Sequence, residues 1–256
     1  MRTLKRGISL ALLVSGILAG CGGGGGGGGG SSTPAASSPL EGVYEGPSSS
    51  GKTIDALFLE DGSWWNMYGI PSGSALLVQG VATGTSTGSN GSFTITFKDY
   101  YAPGTTPVSG SGSGTYTATT LLGTITEGGV NGTFNLTTPL TTNYNYNTPA
   151  ALASISGSWT GSLLDGESAT VSVLTSGTLS GTSSLGCSFT GTATPRPSGK
   201  NVFNVSVTFG AAPCSFPNQS MSGIALTYPL GNGTNQLIVG LVDSTQTKAS
   251  AFFAAR

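Results

Sequence analysis

The chain has 256 residues, of which only 7% are charged, 43 are glycine and none is histidine. This balance excludes a strongly basic nucleic-acid binder and any histidine-based chemistry. It also argues against helical bundles and coiled coils, which draw heavily on Glu, Lys, Ala and Leu, whereas a hydrophobic share of 37% leaves material for a thin core.

Arg2, Lys5 and Arg6 precede the apolar run Ile8 to Leu18, which is too short for a resident transmembrane helix. Residues 1–20 therefore read as a secretory signal. The run ends in Leu18-Ala19-Gly20-Cys21, which resembles the lipobox of bacterial lipoproteins. The resemblance implies cleavage before Cys21, a diacylglycerol on its sulfur, and acylation of the new amine by a chain such as palmitate. Several acyl chains anchor a protein where one binds only marginally. Glycine rather than aspartate at position 22 implies, by the same resemblance, the outer membrane. Beyond Cys21 six basic residues face ten acidic ones, a balance of −4 that gives no attraction to phosphate-rich surfaces.

Residues 21–39 form a lipidated tether. Nine glycines, Gly22 to Gly30, lead into Ser, Thr, Pro and Ala, and such a stretch buries no core. As a flexible coil of about 18 residues it reaches about 25 Å. A repeat follows. Gly42-Val43-Tyr44-Glu45-Gly46 returns as Gly157-Ser158-Trp159-Thr160-Gly161, shifted by 115, and the match runs without a gap to Gly62 and Gly177. Two domains are expected, 40–138 and 154–256, joined by a linker at 139–153.

Each half reads as short strands, alternating in runs such as Phe93-Thr94-Ile95-Thr96-Phe97 and punctuated by Asp-Gly and Asn-Gly pairs. Strands are expected near 41–46, 53–60, 63–70, 75–84, 91–99, 113–120, 121–127 and 132–138. In the second half they are expected near 155–161, 168–175, 178–185, 187–194, 200–209, 220–228, 234–243 and 246–255. The fold class is all-β: two similar small antiparallel up-and-down barrels of about eight strands each, in tandem after a disordered Gly/Ser tether. Closure removes sticky edges, and a β-sandwich is the alternative. A lipid-embedded outer-membrane barrel is set aside on the lipidation signal, the Ser/Thr strand faces and the ending in Arg256.

The frames Gly42-Val43-Tyr44 and Gly157-Ser158-Trp159, set before meandering strands, resemble the calycin group that includes lipocalins. The lipid anchor and glycine tether also resemble surface lipoproteins of the transferrin-binding protein B type. The family's arginine over the tryptophan has no evident counterpart, because Arg256 is terminal and Arg196 lies between prolines.

With Cys21 consumed by lipid, Cys187 and Cys214 remain as an even pair in an oxidising compartment, and a disulfide between them is expected. No metal site is expected. Gly46-Pro47-Ser48-Ser49-Ser50-Gly51-Lys52-Thr53 satisfies the P-loop pattern. The required helix is missing, though, and the repeat places Glu167 opposite Lys52. The segment reads instead as a seven-residue hairpin loop kept in length between the halves, with no nucleotide bound. Ser49-Ser50-Gly51-Lys52 also fits S-x-x-K but lacks a helix start. Carboxylate pairs for hydrolysis are conceivable among Glu41, Glu45, Asp55, Glu60, Asp61, Asp99, Glu127, Asp165, Glu167 and Asp243, but nearly all of these read as solvated turn or surface carboxylates.

Of the adjacent Trp64 and Trp65, which face opposite sides of a strand, one should be core and the other is open to exposure, where it could stack on a sugar or anchor a protein; barrel core plus ordinary surface is the plainer reading. Trp64, Trp65, Tyr68, Tyr100 and Tyr101 are the candidate binding aromatics. The functional expectation is a non-enzymatic, lipid-anchored envelope lipoprotein at the outer membrane, without a cofactor, acting as a binding module. Its partner would be a protein, a glycan or a small apolar ligand, with no nucleic acid. The alternatives are a structural or assembly lipoprotein and, last, a hydrolase. Apolar cavities would favour ligand binding, filled barrels a structural role, and two close carboxylates in a cleft a hydrolase.

Overall fold

A computed structural model describes residues 38–72, 75–101, 106–138, 144–230 and 232–256. The signal sequence and Cys21 lie outside the described residues, as does the tether up to residue 37.

The first barrel is a meander of β1 (Gly42–Pro47), β2 (Thr53–Phe58), β3 (Ser63–Ser72), β4 (Ala75–Ser89), β5 (Ser92–Tyr100), β6 (Val108–Tyr116), β7 (Thr120–Glu127) and β8 (Val130–Thr137). Each strand pairs antiparallel with the next, and β8 closes the barrel on β1 at Glu45 and Thr137. A single turn of helix, α1 (Leu152–Ile155), precedes the second barrel. That barrel comprises β9 (Gly157–Leu163), β10 (Ser168–Val173), β11 (Thr178–Ser183), β12 (Ser188–Pro195), β13 (Phe203–Phe209), β14 (Ser220–Pro229), β15 (Asn235–Asp243) and β16 (Ala249–Ala255). It closes through β16 and β9. Both barrels are thus all-β, up-and-down and without an open edge.

The 115-residue repeat is also a repeat of register. Tyr44 pairs with Ala56, and Trp159 pairs with Val171 at the same offset. The hairpin loops inside this repeat differ from expectation. Pro47 pairs with Thr53 and Ser162 with Ser168, so the ladders extend inward. The pairs enclose residues 48–52 and 163–167, five in each half. Lys52 leads into a strand, not a helix. Two strands outrun their expected limits, β4 reaching Ser89 and β6 starting at Val108. Glycine, serine and threonine fill these extensions and give little hydrophobic alternation.

In β6 those glycines have a packing role. A Cβ on Gly110 would stand 2.2 Å from Phe97 Cζ, and one on Gly114 would stand 2.8 Å from Phe93 Cε1. The aromatic row of β5 leans over the middle of a strand whose inner face there carries only glycine. At the foot of the second barrel the expectation of a missing arginine is corrected. Arg256 lies over Trp159, with its guanidinium carbon 3.7 Å from the ring centroid. It donates to the carbonyls of Ser156 (2.7 Å) and Ser158 (3.3 Å). The closed ladder brings β16 beside β9, so a residue remote in sequence reaches the tryptophan. Gly157 makes room, since a Cβ there would be 2.6 Å from Arg256 Nη1.

Beyond the two barrel interiors there is a third core, between the barrels. Leu57, Trp65, Met67 and Val81 on the outer face of the first meet Ile224, Leu226, Ile238 and Phe253 on the second. Polar contacts fringe it. Arg196 pairs with Glu60 at 2.7 Å and Asp61 at 2.6 Å, and Lys200 pairs with Glu41 at 2.8 Å. Tyr146, from the segment joining the barrels, is buried in the same core.

Candidate functional site

In antiparallel strands of a closed barrel alternate residues point inward. In the second barrel those residues meet. Phe203 is fully buried, and Trp159, Val171, Leu179, Met221 and Leu241 pack in one cluster with it. The remaining space is about 50 Å³. Its upper end is covered by residues 210–219, where the disulfide between Cys187 and Cys214 fastens the loop. Phe216 from this loop packs edge-on to Phe209, their ring centroids 5.8 Å apart.

The first barrel keeps a cavity of about 730 Å³. Its walls carry Ile54, Ile95, Leu121, Ile125, Phe134 and Leu136, while Ala56, Ala82 and Gly132 leave room between them. The floor is aromatic. Phe58 stacks on Trp64 at 5.7 Å, and Tyr44 and Phe97 meet this pair edge-on. Leu40, with no exposure at all, closes the cavity from below. The chain therefore enters the fold at the closed end of the barrel, and the mouth lies at the other.

The mouth is polar. β3 supplies Tyr68, β5 supplies Asp99 and β7 supplies Glu127, while Lys52 ends the β1–β2 hairpin and Tyr101 follows β5. The Tyr68 hydroxyl donates to the Asp99 carboxylate, lying 2.7 and 2.9 Å from its two oxygens. Asp99 and Glu127 both line the mouth, and the charge of Asp99 makes Glu127 harder to ionise. Burial raises both carboxyls. At Glu127 the charge of neighbouring Asp99 adds to burial and pushes the carboxyl up to about 7, with Lys52 opposing. Burial and the Asp99 charge also push the Tyr68 hydroxyl well above its ordinary value. The Lys52 ammonium lies 4.4 Å from the Tyr68 ring centroid. Midway down, Asn66 lines the cavity and carries a buried side-chain oxygen without a hydrogen-bond partner. Chemically, this is an apolar chamber with two neighbouring carboxyls at its entrance.

Of the five candidate aromatics, Trp64, Tyr68 and Tyr101 line this cavity. Trp65 and Tyr100 do not. Trp65 faces outward, as alternation requires, but it is only 7% exposed because the second barrel covers it. Tyr100 is buried too, its hydroxyl donating to the Gln246 carbonyl at 3.0 Å. The expectation of solvated carboxylates holds for Asp243, which accepts turn N–H bonds and is lowered to about 2. It fails for Asp99 and Glu127, which occupy inward positions, and for Asp55, buried between the barrels. The signal for Asp99 was present in the sequence: it continues the inward row Phe93, Ile95, Phe97. Lys52, set aside with the P-loop pattern, belongs to the mouth, and nothing local marked Asn66.

No family model matches the chain, and no curated protein does. Among solved structures the chain is similar to a protein of the DUF3598 family from Nostoc punctiforme, described as of unknown function. The likeness has 13% identity over 84% of this chain and 95% of that one, with a TM-score of 0.24. The fold assignment rests on the chain's own strand pairing.

Proposed function

We propose that the chain is a non-enzymatic lipoprotein of the outer membrane, held by acyl chains on Cys21, whose first barrel binds a small, largely apolar ligand. The observation that carries this reading is the contrast between about 730 Å³ in one barrel and about 50 Å³ in another of the same topology. A volume of 730 Å³ falls within the range of small-molecule sites, about 300–1,000 Å³, and such sites combine apolar walls with a few placed polar groups. The second barrel, filled by its own side chains, serves as a buttress, its outer face burying the outer face of the first. A protein or glycan partner gains no comparable feature, because Tyr101 alone of the candidate aromatics stands well exposed.

The hydrolase alternative draws on the Asp99–Glu127 pair. Glycosidases hold their carboxyls about 5 Å or more apart to admit a nucleophilic step or a water. Here burial raises both carboxyls and sets neither apart as the ionised partner of such a step, which suits holding a proton or a counter-ion.

Binding is tested with the full chain carrying Cys21→Ser and a dye that fluoresces in apolar cavities. Enhanced fluorescence that Ala82→Phe abolishes is expected. Undiminished enhancement in Ala82→Phe sinks the cavity as the site. Anchoring is tested by incorporation of labelled palmitate into the natural chain and its loss in Cys21→Ser. An unlabelled chain of full length removes the membrane part of the proposal.

A further inference from the structure

Resting on that reading, the geometry points to a ligand class: an amphiphile whose apolar body fills the first barrel and whose ammonium head group seats on Asp99 and Glu127 at the mouth. Four observations converge on a cation.

The first is charge. Two carboxyls project into the mouth from β5 and β7, and among the described residues neither is in an ion pair. Two neighbouring carboxyls do not both ionise readily, so a proton or a cation must offset them. The second is the fixed orientation of Asp99. The Tyr68 hydroxyl donates to it, so Asp99 is the carboxylate of the pair and Glu127 carries the exchangeable proton. The third is the Tyr68 ring, already paired with a cation. Lys52 Nζ lies over it at 4.4 Å, and its side chain is half-buried, so the ammonium can leave the ring by side-chain rotation while Ser48 and Ser49 keep the hairpin on β8. A tyrosine face beside carboxylates is a favourable seat for an ammonium group. The fourth is the chamber below, where apolar walls and an aromatic floor take the ligand's body and the lone buried oxygen of Asn66 accepts a donor from it.

Below about pH 7 binding exchanges one proton for one cation: the ammonium enters, the Glu127 proton leaves to solvent, and the local charge is unchanged. The titratable groups facing this exchange are Lys52, Tyr68, Asp99, Tyr101 and Glu127.

The test compares three probes with the same twelve-carbon chain: an alkylammonium, an alcohol and a carboxylate. Each displaces the apolar dye from the full chain carrying Cys21→Ser at pH 8. The ammonium probe is expected to act at a concentration about tenfold or more below the alcohol, with the carboxylate weakest. Its affinity falls about tenfold per unit as pH drops below about 7, where the proton competes, while the alcohol is unaffected. Glu127→Gln removes the ammonium preference and spares alcohol binding, and unchanged thermal unfolding shows that it folds. The pH series stands without any variant.

Equal displacement by all three, or a preference for the carboxylate through Lys52, overturns the ammonium assignment and leaves the apolar-ligand reading intact. Failure of the dye and all three probes to bind overturns both.

Discussion

The two barrels run through the same eight-strand meander, yet one is hollow and the other packed. The difference lies in the inward rows and in one loop. On the fifth strand of each, the first barrel places Phe93, Ile95, Phe97 and Asp99, and the second places Phe203, Val205, Val207 and Phe209. The upper end of that row is a carboxylate in one and a packed aromatic in the other. On the sixth strand, three inward glycines of β6 stand against Met221 and Ala225 of β14. At the top of the third strand, Tyr68 stands against Ser183. The loop after the fifth strand brings Phe216 over the second barrel under a disulfide. Hydrogen bonding around the ladder fixes the barrel, and the inner faces separately decide whether it holds anything.

The strongest challenge to this contrast is core truncation. Phe203→Ala should cost about 3–5 kcal/mol, because the tightly packed second barrel cannot collapse around the void. Ile125→Ala, at the wall of an existing cavity, should cost less than half as much. Denaturant unfolding of both variants measures the ratio, and equal costs would mean that the first barrel is packed in solution.

Next comes the staple. The cysteines are separated by 27 residues, and replacing both with alanine should cost about 3–4 kcal/mol. The loss should appear in the second barrel, read by hydrogen exchange of β12 to β14. A loss spread evenly over both barrels would contradict the separation drawn here.

The seam between the barrels should respond to pH. Asp55 lies in it, receives a hydrogen bond from Tyr228 at 3.0 Å, and is raised to about 7 by burial and by nearby Glu45. A carboxyl that holds its proton more tightly when folded favours the folded state at low pH. Its contribution is complete below about pH 4 and is lost as pH rises toward 7, at up to about 1.4 kcal/mol per unit. Asp55→Asn should flatten this dependence in thermal unfolding measured from pH 4 to 8, and an unchanged slope would exclude Asp55 as its source.

The smallest effect sharpens the comparison most. Ala82→Leu, pointing into the cavity, should stabilise by up to about 1 kcal/mol. Ala193→Leu, in the packed barrel, should destabilise by about 1–3 kcal/mol. Opposite signs in paired melting curves are the expected result.

The sixteen strands were legible because period-two alternation and Gly-containing turns are local signals. The repeat was legible because its first three strands keep their spacing. Other features depend on closure, which brings together residues distant in sequence. The Trp159–Arg256 contact joins the two ends of the second barrel and has no local signature. The covering of Trp65 depends on a partner surface more than 150 residues away. The site was half legible: alternation puts Asp99 and Glu127 on inner faces, but the composition of the chain invites reading scarce carboxylates as solvated. Whether an interior is empty is a sum over eight strands, and no single segment encodes it.

Trp64 and Trp65 are neighbours in one strand, and the third tryptophan of the chain, Trp159, sits at the foot of the other barrel. Trp64 borders the chamber, whereas Trp65 lies in the seam. Nature has thus installed three optical reporters: one watches occupancy, one watches parting of the halves, and one remains as an internal reference. Replacing them singly by phenylalanine would assign each emission to its compartment and allow guest entry and separation of the barrels on unfolding to be timed without any added label.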